Sequence, residues 1–243
     1  MTIKQAMVLA AGLGTRMRPI TDTIPKPLVK IAGKSMIDYA LDALAEAGVE
    51  RAVVNVHHHA DQMEAHLRSY RGLEILISDE RDALMNNGGG LVKGFKLLSR
   101  DPVFVMNADL FWIGERPGEP TNLERLAGFY DASRMDMAML CVELEKTTGH
   151  NGKNDFSMAE DGRLQRYRDA PHDGVVYAGA IAMDPSLLDD APADAFNINI
   201  YFDKAIARGR LYGTMLEGHW LTVGTPEAVG EAEETIRTFR AFA

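Results

Sequence analysis

The sequence predicts a doubly wound, mostly parallel α/β sheet with a β-rich second half. Three observations carry that expectation. Short β-branched runs alternate with helical patterns through the first 107 residues; the first of those runs ends directly in a glycine-rich turn; and from residue 123 strand-like runs crowd together between Gly-, Asn- and Asp-bearing turns. The chain has 243 residues, 46% of them hydrophobic and 25% charged, which suffices to bury a core without disulfide or metal staples. One domain over residues 1–243 is expected, its two halves meeting near residue 121.

The elements follow in order. Residues 4–9 read as the first strand. Ser35 stands as an N-cap three residues before Asp38, and Ile37, Leu41 and Leu44 recur at helical spacing until Gly48 stops the helix. Residues 52–56 form a strand, 59–70 a helix, 73–77 a strand, 90–98 a glycine-led helix, and 103–107 the strand before Asp109. Ligands in such sheets bind outside the carboxyl ends of the strands. A helix over 123–133 opens the second half. Strands near 137–144, 155–158, 163–168 and 175–183 come next, then a helix over 196–207, a strand over 211–216 and a helix over 226–242. The Pro- and Gly-rich loop 114–120, just after Asp109, is placed at the rim of the site.

Composition excludes several roles. A formal net charge of −9 argues against nucleic acid or anionic membrane as partner, since both need a basic surface. No signal-peptide core and no apolar run near about 20 residues is present, so a cytoplasmic protein is expected. Cys141, the sole cysteine, lies in an apolar run and reads as a small buried strand residue; it excludes an internal disulfide and a zinc ribbon. Consecutive strand residues point to alternate faces, so His57, His58 and His59 read as a strand end rather than as ligands of one ion. Glu227, Glu231, Glu233 and Glu234 read as the solvated face of a helix.

The chemistry starts where the first strand meets Ala10-Ala-Gly-Leu-Gly14-Thr-Arg-Met-Arg18. Glycines there let backbone N–H groups approach a phosphate. Two common phosphate loops fail: Met17 replaces the third glycine of the dinucleotide pattern, and Leu28 stands where a Walker loop ending at Gly33-Lys-Ser35 needs its first glycine. What remains is a glycine loop followed by Arg16 and, about ten residues on, by Pro25-Lys26-Pro27-Leu28. An arginine fork and a lysine with a proline-fixed backbone would neutralise charge developing at an α-phosphate.

With these motifs the chain resembles the sugar-1-phosphate nucleotidyltransferases. Further likeness lies in Gly88-Gly-Gly90, Asn107-Ala-Asp109 and Trp220-Leu-Thr-Val-Gly-Thr-Pro226. Gly149-His-Asn151, Asn154-Asp-Phe156 and Asp161-Gly-Arg-Leu164 make it most similar to bacterial N-acetylmuramate-1-phosphate uridylyltransferases and to relatives described as mannose-1-phosphate guanylyltransferases. The resemblance implies a Rossmann-like nucleotidyltransferase fold with a nucleotide-binding half over 1–121 and a β-rich sugar-binding half over 122–243. It implies nucleotidyl transfer from a nucleoside triphosphate, best UTP, to a sugar 1-phosphate, best N-acetylmuramate 1-phosphate, with pyrophosphate leaving. Guanylyl transfer to mannose 1-phosphate, cytidylyl transfer to phosphocholine and a weakly catalytic nucleotide-sugar sensor stay open. The protein is expected as a monomer or homodimer.

Carried onto this sequence, the resemblance gives catalytic Arg16, Lys26 and Asp109. Asp109 is also the Mg²⁺ ligand, a hard oxygen donor suited to that ion. Nucleotide contacts fall to Leu9, Ala10, Ala11, Gly12, Gly14, Thr15, Asn87, Gly88 and Gly89, and sugar-phosphate contacts to Asn154, Arg166, Arg168, Tyr177, Gly179 and Asn199. The chain departs from the pattern in three places. Thr222 replaces the second metal aspartate, Asn86-Asn87 precede the glycines where relatives show Glu-Thr, and no Glu-Lys-Pro segment supplies the acceptor-phosphate lysine. Lys153, Arg166 or Arg168 would replace that lysine.

Overall fold

The computed structural model describes residues 2–168, 174–192 and 194–242. In chain order the elements are β1 (Gln5–Leu9), β2 (Lys30–Ile31), β3 (Lys34–Ser35), α1 (Met36–Glu46), β4 (Arg51–Val56), α2 (Ala60–Leu67) and β5 (Glu74–Asp79). Next come α3 (Asn86–Phe95), β6 (Val103–Asn107), β7 (Leu110–Ile113), α4 (Asn122–Phe129), β8 (Met137–Val142), β9 (Thr147–Thr148), β10 (Phe156–Met158) and β11 (Leu164–Arg166). The last are β12 (Gly174–Met183), α5 (Asn199–Ala207), β13 (Leu211–Met215), β14 (His219–Thr222) and α6 (Pro226–Phe242).

The central sheet runs β5-β4-β1-β6-β12-β8-β13, with β10 and β11 added beside β12. Along that path β12 runs against β6 and β8 while every other ladder is parallel. The middles of β1, β4 and β6 are apolar on both faces because helices cover both. Alternation along β1 assigns the faces: Ala6 and Val8 pack with Ile37 and Leu41 of α1 and Met63 of α2, whereas Met7 packs with Leu91 of α3 and Phe202 of α5. A third apolar cluster joins Met17, Phe111, Leu221 and Val223 to Ala232 and Ile236 of α6.

Several boundaries differ from expectation, each for a local reason. Helix α3 begins at Asn86, so Gly88 and Gly89 lie inside it; with few side chains there, hydrophobic periodicity could not mark that turn. His59 takes a left-handed backbone at φ 50°, so α2 starts only at Ala60. Thr121 and Glu124 form a reciprocal capping box for α4, which ends at Phe129 because Tyr130 is extended. Ser35 precedes α1 without a side-chain cap; its hydroxyl lies 3.5 Å from Nε2 of His66, which pairs with Asp38 instead. Residues 196–198 precede α5 and hold α3: Phe196 O accepts from Gly88 N and Ile198 N donates to Asn87 Oδ1. β8 ends at Val142 and β11 covers only Leu164–Arg166.

Cys141 is buried on β8, and burial pushes its thiol pKa up. Glu233 corrects the expected solvated face, since its Oε1 accepts from Ala32 N at 3.0 Å and anchors the β2–β3 hairpin to α6. The small β7-β14-β9 sheet had no sequence signal and sits beside Asp109. Among the described residues no helix is long and apolar enough to cross a membrane.

Candidate active site

A pocket of about 300 Å³ opens at the carboxyl ends of β1, β4 and β6, where the chain order reverses across β1. Leu9, Ala10, Ala11, Gly12, Lys26, Asn87 and Asp109 line it. The loop is shaped at both ends. Ala108 N donates to Leu9 O, and Ala10 N donates to Oδ1 of the buried Asn55 at 2.6 Å. Among the described residues the N–H groups of Ala11 and Gly12 meet no protein acceptor, which leaves them for an anion. At Gly14 the backbone turns left-handed at φ 62°, and a Cβ would lie 2.9 Å from Thr21 Cγ2 and 3.0 Å from Lys26 Cβ. Only glycine fits that combination.

Lys26 opens a short 3₁₀ turn after the extended Pro25, with Pro27 next, so the backbone at the lysine is fixed. Its side chain is 11% exposed and its Nζ lies 2.5 Å from Oδ2 of Asp109. Asp109 O accepts from Val223 N at 3.2 Å, which brings the C-terminal Trp220-to-Pro226 motif to the aspartate. Gly224 of that motif packs on Arg16: a Cβ there would lie 3.5 Å from the guanidinium. Arg16 is exposed and forms no ion pair among the described residues. Gly14, Thr15 and Arg16 are not among the pocket's lining residues. Thr222 pairs with Leu110 across the small sheet.

Among the described residues no three His, Cys, Asp or Glu side chains converge on one point. Magnesium nevertheless suits this donor set, because that ion is commonly held by one or two carboxylates together with substrate phosphates and water. Of the two carboxylates lining the pocket, the buried Glu80 is taken by Asn55 and Met85, which leaves Asp109.

A second pocket of about 170 Å³ shares Leu9, Asn87 and Asn107 with the first and is completed by Asp155, Arg166, Tyr177 and Asn199. Burial, with Cys141 and Asp155 nearby, raises the Tyr177 phenol pKa and keeps it neutral. Arg166 donates from Nε to Asp203 and from Nη2 to Asn199 Oδ1, both at 2.8 Å, and lies over the Phe156 ring. Asp203, itself exposed, offsets only part of its charge. Arg168 and Lys153 are exposed and have no ion pair among the described residues.

Besides Gly14, Thr15 and Arg16, five expected contacts, Arg168, Gly88, Gly89, Asn154 and Gly179, line neither pocket. Gly88 and Gly89 are buried in α3, and Gly88 N is taken by Phe196 O. Asn154 packs against Gly174 rather than lining the second pocket, where its neighbour Asp155 stands. Gly179, at φ 77°, seats Leu110, whose Cδ2 would lie 2.1 Å from an added Cβ. Sequence reasoning missed Asn55, Glu80, Asn107 and Asp155. All four are polar residues at or beside the ends of strands; Asn107 and Asp155 lay in the Asn107-Ala-Asp109 and Asn154-Asp-Phe156 motifs, whereas Asn55 and Glu80 lay in none.

Comparison with known proteins agrees with this geometry. The nucleotidyl transferase family matches over residues 5–146. The chain is 43% identical over 235 residues to N-acetylmuramate alpha-1-phosphate uridylyltransferase of Caulobacter vibrioides, covering 95% of this chain and 96% of that one. It is 32% identical to mannose-1-phosphate guanyltransferase of Neurospora crassa, over 92% of this chain and 61% of that protein. Among solved structures, inositol-1-phosphate CTP transferase from T. maritima superposes with TM-score 0.75 at 17% identity, covering 96% of this chain and 98% of that one, a likeness of fold. The chain belongs to the nucleotidyl transferase family, among the sugar-1-phosphate nucleotidyltransferases.

Proposed function

We propose that this enzyme transfers uridylyl from UTP to N-acetylmuramate 1-phosphate in the cytoplasm, releasing pyrophosphate. The observation that carries the chemistry is the pair of adjoining pockets sharing Leu9, Asn87 and Asn107, one beside Lys26 and Asp109 and the other beside Asp155 and Tyr177. Two substrates lying in them would meet at that shared wall. The near full-length identity to the Caulobacter enzyme supports the choice of substrates.

The unpartnered N–H groups of Ala11 and Gly12 would receive phosphate oxygens. Lys26 would turn from Asp109 toward the α-phosphate, and Arg16, which has no ion pair among the described residues, would take the pyrophosphate end. Asp109 would hold magnesium, whose charge when bound offsets that of the phosphates. Arg166, which lines the second pocket, or the exposed Arg168 or Lys153 would meet the acceptor phosphate, and the neutral Tyr177 with Asp155 would meet sugar hydroxyls.

The test is pyrophosphate release across UTP, GTP, CTP, ATP and dTTP with N-acetylmuramate 1-phosphate, N-acetylglucosamine 1-phosphate, mannose 1-phosphate and phosphocholine. Highest kcat/KM for UTP with the muramate is expected. Preference for GTP with mannose 1-phosphate would replace this assignment, and no turnover with any pair would end the catalytic reading.

A further inference from the structure

The catalytic chemistry makes no use of Glu80, yet its carboxylate is 0% exposed and forms no ion pair among the described residues. Such a group is expensive to bury and needs its hydrogen bonds. Oε1 accepts from Asn55 Nδ2 at 2.8 Å, and Oε2 accepts from Met85 N, at the entrance of α3, at 3.2 Å. Asn55, 3% exposed, spends its remaining oxygen on Ala10 N. One chain of hydrogen bonds therefore runs from the glycine loop, through β4 and the end of β5, to the N-terminus of the helix bearing Asn86 and Asn87. Ala10, Asn55, Glu80, Asn86 and Asn87 all line the first pocket.

We infer that Glu80 and Asn55 are positioning residues that set the spacing between the phosphate end and the base end of the nucleotide pocket; this rests on the nucleotide-binding reading above. A carboxylate only accepts, so it compels the Asn55 amide to present Nδ2 to Glu80 and Oδ1 to Ala10. A flipped amide would set donor against donor at Ala10 and acceptor against acceptor at Glu80. With Ala10 N fixed in this way, the following N–H groups of Ala11 and Gly12, both on the pocket wall, stay open to phosphate. The arrangement is also sterically tight, since a Cβ on Gly90 would lie 2.9 Å from both Asn55 Nδ2 and Glu80 Oε1.

Glu80→Gln alone cannot accept from both Asn55 and Met85, and Asn55→Asp alone brings two carboxylates together with no donor between them. Asn55→Asp combined with Glu80→Gln restores every bond: the new carboxylate accepts from Ala10 N and from the new amide, whose oxygen accepts from Met85 N. The experiment measures UTP affinity by calorimetry, KM for the acceptor, and melting temperature in the parent, both single variants and the double variant. Each single change is expected to weaken UTP binding about tenfold, roughly the loss of one well-made hydrogen bond, with acceptor KM changed less than twofold. The double variant should return UTP affinity to within about threefold of the parent. Parallel loss of UTP affinity, acceptor KM and melting temperature would reduce the pair to a fold contact and overturn the inference, as would single variants that bind UTP normally or a double variant that fails to recover. A parent that binds no nucleotide would overturn the functional reading as well.

Discussion

Lys26 Nζ and Asp109 Oδ2 lie 2.5 Å apart although 83 residues separate them in the chain. Both residues line the first pocket, and on the function proposed above each would have two uses: it would stabilise the other in the free enzyme and be released to phosphate and magnesium in the loaded one. Asp109→Asn and Lys26→Met are each expected to lower kcat/KM by about 10²–10³-fold. Each also removes one charge of the ion pair, for roughly 1 kcal/mol of stability after discounting the partial exposure of Asp109. The double variant should regain melting temperature but not activity. Recovery of activity along with stability would show that the pair serves folding alone.

Arg16 gives the complementary case. It packs on Gly224 and forms no ion pair among the described residues, so its removal breaks no salt bridge. Arg16→Ala is expected to leave melting temperature within about 1–2 °C while lowering kcat/KM about 10²-fold. Arg16→Lys should recover little, because a point charge does not replace a bidentate fork. Full activity in Arg16→Lys would mean that charge, and not geometry, is what the pocket uses.

The N-terminal motif was legible because its residues lie close together in sequence and their chemistry is local: a strand end, two glycines, an arginine, a lysine between prolines. Likewise β1, β4 and β6 announced themselves as apolar runs. The start of α3 did not, since Gly88 and Gly89 carry no side chains from which a period could be read. The Asn55–Glu80 relay was silent because each residue alone is an ordinary polar group, and only the parallel ladders of β1, β4 and β5 place them side by side. Asp155 and Asn154 are adjacent in one motif, and backbone pairing of Asp155 with Val175 decided which of them faces the second pocket.

Thr222 stands next to Val223, whose N–H donates to the backbone of Asp109. A carboxylate introduced there would add a charged oxygen donor near Asp109, and magnesium prefers such donors to a neutral hydroxyl. Thr222→Asp is therefore expected to lower the Mg²⁺ concentration giving half-maximal pyrophosphate release several-fold, with acceptor KM unchanged. An unaltered Mg²⁺ titration would place residue 222 outside reach of the ion.

His219 sets the expected pH dependence of stability. It lies on β14 with Nε2 2.8 Å from Thr148 Oγ1 and its ring 5.3 Å from Phe239, and burial lowers its pKa from the ordinary 6.5. The unfolded chain therefore takes up a proton near pH 6.5 that the folded protein still refuses. Stability from this group is complete above pH 6.5 and declines as pH falls below it. Asp79, Asp131, Asp161 and Asp190 also have lowered pKa values, through hydrogen bonds from Arg81, Ser133, Arg163 and Tyr201 respectively. Their contribution is complete above the ordinary 3.8 and is lost only at more acid pH, so it lies in a separate window. Melting temperatures at pH 7.0, 6.0 and 5.5 should fall more steeply in the parent than in His219→Gln, which keeps a polar partner for Thr148 and cannot titrate. Equal slopes in the two proteins would mean that the ring is protonated in the fold as readily as in the open chain, and that its burial carries no penalty.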